Sequence, residues 1–287
     1  MVRTARRVMY AVMPAELLIV VLLISGVAIP TPVLLAAESL VAAVLVLEAA
    51  VFWRLFAEER RGGLGRRAAA LATARRLVPA PVRRLMSFDV KGVASLGLWV
   101  LRRRDGVPPG ATAVPYAAEQ TPMQLVLLFV VAVETMAVEV LLRALGVPDA
   151  LRIAVLVLDL YGVLFCLMTI AACVTRPHVV TGGELRIRYG VYFDLRIPRE
   201  LIVSVRRVRN LGEPGVVSVR DGRLAVAVGS QTNVVVELAE PVVAVRPLGA
   251  RVEATEVRFF ADDPASAVAA LQDAAERRPA REASPKG

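Results

Sequence analysis

Apolar and polar positions along this chain change rhythm near residue 176. Before it, apolar residues come in long blocks; after it, they alternate one by one. A helix needs roughly 20 mostly apolar residues to cross a bilayer. Four segments reach that length: 9–29, 33–56, 122–145 and 150–174. Only Pro30-Thr31-Pro32 separates the first two, and Gly146-Val147-Pro148-Asp149 the last two, so the pattern predicts two helical hairpins. Residues 1–29 also have the basic start of a secretory signal. No small-x-small cleavage site follows, so an uncleaved first helix is expected.

A shorter apolar stretch, LMSFDVKGVASLGLWVL at 85–101, contains Asp89 and Lys91 and is flanked by Arg83 and Arg84 before it and Arg102, Arg103 and Arg104 after it. Crossing the membrane would leave one basic cluster outside; a helix lying at the inner interface satisfies both clusters. Against anionic lipid each basic residue is worth about 1 kcal/mol, although these charges also serve topology alone. The preceding RRAAALATARRL is expected to extend the second span or join this surface, and VPPGATAVPYAAEQTP to be a loop.

From His178 onward the period is two. Leu185, Ile187 and Tyr189 alternate with polar residues, as do Val191, Phe193, Leu195 and Ile197, which marks strands with one buried face. Charge predicts the register: Arg188 opposite Tyr192 places Arg186 against Asp194, Glu184 against Arg196 and Ile187 against Phe193. On that register the arginines form a solvated ladder. GVVSVR-DG-RLAVAVG predicts a second hairpin turning at Asp221-Gly222. Further strands are expected at LIVSVRR, NVVVELA and TEVRFFA, about seven in all. Asp263-Pro264 is an N-cap and first helical position for PASAVAALQDAAERR, with Val268, Leu271 and Ala275 as its apolar stripe.

Composition sharpens the membrane reading. Hydrophobic residues make up 56%, above the 45–50% or so usual for soluble domains. Net charge is +9, concentrated in the 58–122 segment, which carries twelve basic against five acidic residues. The positive-inside rule therefore places both termini and this loop in the cytoplasm, with Phe52 and Trp53 as an interfacial anchor. Cys166 and Cys173 are seven apart on one helix, about 10 Å, too far to bridge.

Carboxylates inside apolar spans are costly, and they sort by depth. Glu16 and Glu48 lie near inner ends; Glu38, Glu139 and Asp159 lie in outer halves, within reach of Arg143 and Arg152. Glu139 and Arg143 are spaced i,i+4 and predict an ion pair. Glu134, near mid-span, is expected to be neutral and bonded to a hydroxyl such as that of Thr135, Thr169 or Tyr161, or to face a cavity.

VVTGGELRIRYGVYFDLRIPRELIVSVRRV, with an amphipathic helix after FFADDP, resembles the bacterial pleckstrin-homology-like domain. The whole chain is similar to a group of actinobacterial integral membrane proteins of unassigned function. The resemblance implies a β-barrel or sandwich closed by a C-terminal helix, and brings no catalytic residue. Phosphoinositide-binding members use a basic first hairpin; here Glu184 and Asp194 interrupt it. The expected organisation is an N-terminal hairpin at 1–57, a basic cytoplasmic loop with its interfacial helix at 58–121, a second hairpin at 122–175, the β domain at 176–279 and a disordered tail at 280–287.

His178 is the single histidine, expected at an interface or turn, and no G-x-S-x-G surrounds any serine. No metal-ligand set, P-loop or G-x-G-x-x-G occurs, so neither metal nor cofactor is expected. The basic residues are juxtamembrane and lack interleaved aromatics, which argues against nucleic acid. The expectation is a non-enzymatic membrane protein whose β domain serves as an interaction platform. Its expected partners are the bilayer and a protein, with Arg206, Arg207 and Arg209 as the contact. The alternative is a small proton- or ion-coupled transporter using Glu134 and Asp159, for which a homo-oligomer would supply further helices.

Overall fold

The computed structural model describes residues 31–77 and 80–276. The expected first span and the tail at 280–287 lie outside these residues. The chain divides into two units, one of residues up to 83 with 132–161, the other of 84–131 with 162 onward.

In the first unit, α1 (Thr31–Arg61) is a 31-residue helix that continues past the expected end of its span. Phe52, Trp53 and Phe56 cluster near its C-terminal end, with ring centroids 6.0–6.2 Å apart. α2 (Arg66–Leu77) does not extend the span. Gly62 and Gly63 end α1, Gly63 with φ +88°, a conformation that favours glycine. The chain folds back so that Arg76 Nε lies 3.1 Å from Glu59 Oε1. RRAAALATARRL is therefore a helix of its own.

α4 (Thr121–Ala144) and α5 (Asp149–Thr175) are, among the described residues, the two helices long and apolar enough to cross a membrane. Met123, Phe129, Met136, Val140 and Leu158 all stand exposed on them. A soluble core helix would bury such side chains; these need an apolar surrounding. Gly146 (φ +66°) and the bond from Val147 N–H to the Leu142 carbonyl (3.1 Å) cap α4. Pro148 and Asp149 then open α5 after a turn of four residues.

The second unit holds α3 (Ala80–Val100) from Arg84 on, together with the β region. Its first sheet has the order β1-β2-β3-β4, all antiparallel: β1 Thr112–Val114, β2 His178–Val180, β3 Glu184–Tyr189 and β4 Phe193–Pro198. The second runs β5-β8-β9-β7-β6: β5 Ile202–Leu211, β8 Gln231–Val245, β9 Arg251–Phe259, β7 Arg223–Val226 and β6 Val217–Arg220. Among the described residues only β7 and β9 pair in parallel. Leu185, Ile187, Ile197, Leu224, Val236, Val257 and Phe259 form one core with Leu271 of α6 (Pro264–Glu276). Asp263 caps α6 as expected, accepting the N–H groups of Ala265 (3.0 Å) and Ser266 (3.1 Å).

The Asp221-Gly222 turn forms as read, both residues at positive φ. The first hairpin differs. Its register pairs Arg188 with Asp194, Arg186 with Arg196 and Ile187 with Leu195, two residues from the expected one. The predicted ion pairs nevertheless form, as diagonals: Arg186 Nε to Asp194 Oδ1 at 2.8 Å and Arg196 Nη1 to Glu184 Oε1 at 3.5 Å. A shift of two keeps every side chain on its face, so the buried set is unchanged. The described residues contain nine strands rather than seven. One of the additions, β1, lies in the stretch expected as loop, so the first sheet draws on chain upstream of residue 176.

Candidate functional site

The second unit builds its most constrained chemistry where α5 runs into β2, with Arg176 and Pro177 alone between them. The end of α5 is tied down first. Its last carbonyl, that of Thr175, accepts the Asp105 N–H at 2.8 Å. Arg176 pairs with Asp105 (3.1 Å) and reaches the buried Ser95 hydroxyl of α3 (3.3 Å). Gly92 of α3 abuts Met168 so closely that an added Cβ would lie 3.0 Å from its sulfur.

His178 follows at once. It is 1% exposed, not an interfacial or turn residue. Its Nδ1 accepts the Arg188 backbone N–H (3.0 Å), which leaves Nε2–H to donate to the Phe260 carbonyl (3.0 Å). Its ring stacks on Tyr116 with centroids 4.6 Å apart and meets Phe259 edge-on. Tyr116, also fully buried, accepts the Gly190 N–H on its hydroxyl (2.6 Å) and stacks on Tyr189. Tyr189 donates to Gln120 Oε1 (2.9 Å), and the Tyr192 hydroxyl meets that of Thr169 (3.1 Å). Gly190, at φ +49°, lets the β3–β4 turn approach Cys173 and Ala172 of α5, which a Cβ would meet at 3.4 and 3.5 Å. Cys173 and Cys166 are both free thiols.

Burial sets the electrostatics. It pushes the His178 imidazole down to about 3, only partly opposed by its bond to the Phe260 carbonyl. Burial raises the Tyr116 and Tyr189 phenols well above their ordinary value. The ring of His178 is thus neutral with both nitrogens committed, and it has no free lone pair for general-base work. Arg188 is the exception to local balance. It is 1% exposed; its Nε donates to the Pro177 carbonyl at 2.8 Å, while both terminal nitrogens lack a hydrogen-bond partner. Burial, and then the neighbouring Arg186, lower its guanidinium from the ordinary value. A solvated ladder describes Arg196 and not Arg188.

Other predicted residues fall elsewhere. In the first unit Glu139 pairs with Arg143 (3.3 Å) and Arg152 (2.5 Å), and Arg152 with Asp149 (2.7 Å). Glu134 is not engaged by a neighbouring hydroxyl among the described residues and stands exposed on α4; Asp159 is half-buried. Thr169, one expected partner of Glu134, is used by Tyr192 and by the Phe165 carbonyl. The Glu38 side chain lies outside the described residues. Arg83 donates to the Arg75 carbonyl (2.5 Å) and Arg84 to the Arg246 carbonyl (3.3 Å). Lys91, Arg102, Arg103 and Arg104 are exposed. On β5, Arg206 pairs with Glu237 and Arg209 with Gln231 (2.7 Å), while Arg207 is exposed.

Tyr116 is the residue that sequence reasoning missed, and His178 and Arg188 are buried where an interface and a solvated ladder were expected. A lone tyrosine in a Pro-rich stretch was the available signal, because an aromatic there needs something to pack on. Among the described residues no three His, Cys, Asp or Glu side chains are placed to hold a metal ion. The chain matches no family model, no curated protein and no solved structure.

Proposed function

We propose that this chain is a non-enzymatic, multi-pass protein of a bacterial inner membrane, with four spans in two hairpins and cytoplasmic termini. It presents a β domain of pleckstrin-homology type as a fixed platform for a protein partner. The observation that carries the reading is the joint around His178. A tethered module would hang from a flexible linker, whereas here α5 ends inside the β region's hydrogen-bond network, two residues from β2. Such a join ties the last turn of α5 to the β region, which is what a platform requires and a mere anchor does not. Two sheets closed by α6 support the pleckstrin-homology type, and the exposed Arg102, Arg103 and Arg104 support the cytoplasmic side.

The partner contact is assigned to the outer side of β5, an edge strand on which Val203, Arg206, Arg207 and Val208 are all exposed. Transport is the weaker reading, because the best-engaged carboxylate of the hairpin is Glu139, held by two arginines, rather than Glu134. A photo-crosslinking residue at Val203 or Arg207 in intact cells tests the platform. A discrete adduct with a second protein, lost in Arg206→Glu/Arg207→Glu and absent from a control at Arg196, is the expected result. No adduct above the control, together with proton flux in proteoliposomes that Glu134→Gln abolishes, would replace the platform by the transporter.

A further inference from the structure

At one end of the β region, the β3–β4 turn, the start of β6 and the β8–β9 turn border a half-open cavity of about 540 Å³, lined chiefly by Tyr189, Tyr192, Val217, Arg246, Pro247 and Leu248. Cavities of about 300–1,000 Å³ are of the size that takes small ligands. Two features define what this one could hold.

The first is that its polar groups are already used. Tyr189 spends its hydroxyl on Gln120 and Tyr192 on Thr169. The Arg246 carbonyl accepts from Arg84, and the Arg246 N–H donates to the Ala250 carbonyl (2.8 Å). A peptide backbone entering here would lose water and find few groups to replace it, at a cost that hydrocarbon does not incur. The second is what borders the cavity. Arg84 lies across the β8–β9 turn, 2.8 Å from where a Cβ on Gly249 would stand, and the Arg246 side chain is exposed. One turn further along α3, Phe88 meets Tyr192 edge-on at 5.1 Å. The flank of α3 that does not pack is mostly apolar: Leu85, Met86, Val90 and Val93 are all more than half exposed, with the half-buried Asp89 among them. Apolar walls, a cationic border and an adjoining apolar helix flank together describe a hydrocarbon chain with an anionic head.

We propose that this cavity takes one acyl chain of an anionic phospholipid, with its phosphate received by Arg84 and Arg246. The proposal rests on the membrane reading above and goes beyond it: the β domain would sense the lipid around it instead of using lipid for targeting. Occupancy would brace Tyr189 and Tyr192, the two side chains that join the cavity wall to α4, through Gln120 at its start, and to α5.

The test uses the full chain in nanodiscs containing phosphatidylglycerol with a diazirine at the end of one acyl chain, and maps the adducts by mass spectrometry. Label is expected at Val217 and Leu248 as well as at Met123 and Phe129, the exposed side chains of α4. Arg84→Gln is expected to reduce the cavity label by about fivefold, the factor one arginine contributes towards anionic lipid, and to leave the α4 label unchanged. Leu248→Glu, at a residue 74% exposed and so without a folding role, is expected to remove the cavity label. Label on α4 alone would overturn the proposal while leaving the membrane reading standing. Label on neither would remove both. Cavity label that is the same with phosphatidylcholine and indifferent to Arg84→Gln, or a cavity occupied by a co-purified polypeptide, would also overturn it.

Discussion

The turn end of the α4–α5 hairpin and the joint at β2 both place arginine among partners, and they treat it in opposite ways. In the hairpin, Glu139, Arg143, Asp149 and Arg152 form a chain of ion pairs on residues three, four or thirteen apart, part of it open to the surroundings. In the joint, a neutral histidine and a guanidinium are sealed, and their partners come from Pro177, Phe260 and the β3 backbone. Pairs of the first kind tolerate the loss of a member, since each survivor keeps a second partner or an exposed position: Arg152 keeps Asp149, Glu139 keeps Arg143, and Arg143 is 71% exposed. A network of the second kind has no solvent to fall back on, so each missing partner leaves a buried group unsatisfied.

Removing the His178 ring should break that comparison most visibly. His178→Ala strands the Arg188 N–H and the Phe260 carbonyl and opens a hole beside Tyr116, at a cost of about 3–5 kcal/mol. Pulse proteolysis of the purified protein in urea should show the β region cleaved at much lower denaturant. Acid probes the same group more gently. The folded ring resists protonation down to about pH 3, whereas the unfolded chain takes up its proton near the ordinary value of 6.5. Stability conferred by the neutral ring is therefore present above about pH 6.5 and is lost as pH falls towards 3, at up to about 1.4 kcal/mol per pH unit. Comparing the urea midpoints of wild type and His178→Gln from pH 7 to pH 4 measures this; the variant should give the flatter profile. The smallest effect belongs to the hairpin. Glu139→Gln should lower the thermal midpoint slightly, and Glu134→Gln should leave it unchanged. If the two variants behave alike, the ion-pair chain is ornamental; if Glu134→Gln costs more, the exposed carboxylate has a partner on another molecule.

The same contrast explains what was legible in the sequence. The Glu139–Arg143 pair was readable because i,i+4 spacing is itself a contact, and the Asp221-Gly222 hairpin because its turn chemistry is local. Alternation gave the buried face of β3 and β4, yet the register came out two residues away. Arg186 bonds Asp194 whether they stand opposite or diagonal, and a shift of two preserves facing, so neither charge nor hydrophobicity could discriminate. The joint was opaque for a different reason. Nothing near His178 announces Tyr116 or Phe260, which reach it from residues 62 upstream and 82 downstream in the chain. Three residues of strand inside a Pro-rich stretch carry too short a pattern to be seen.

That short strand also sets an order of assembly. β1 is made early, and β2, its one strand partner among the described residues, follows after the whole of α4 and α5. While the polypeptide is being synthesised, Thr112–Val114 has nothing to pair with until the hairpin is complete and its last turn has delivered His178. The first sheet therefore works as a checkpoint on the helices: a hairpin that fails to form leaves β2 with a bare edge, an open template for unwanted strand pairing. Transplanting residues 176–279 as a free-standing domain would create that edge deliberately, and the upstream segment from Thr112 would have to travel with them.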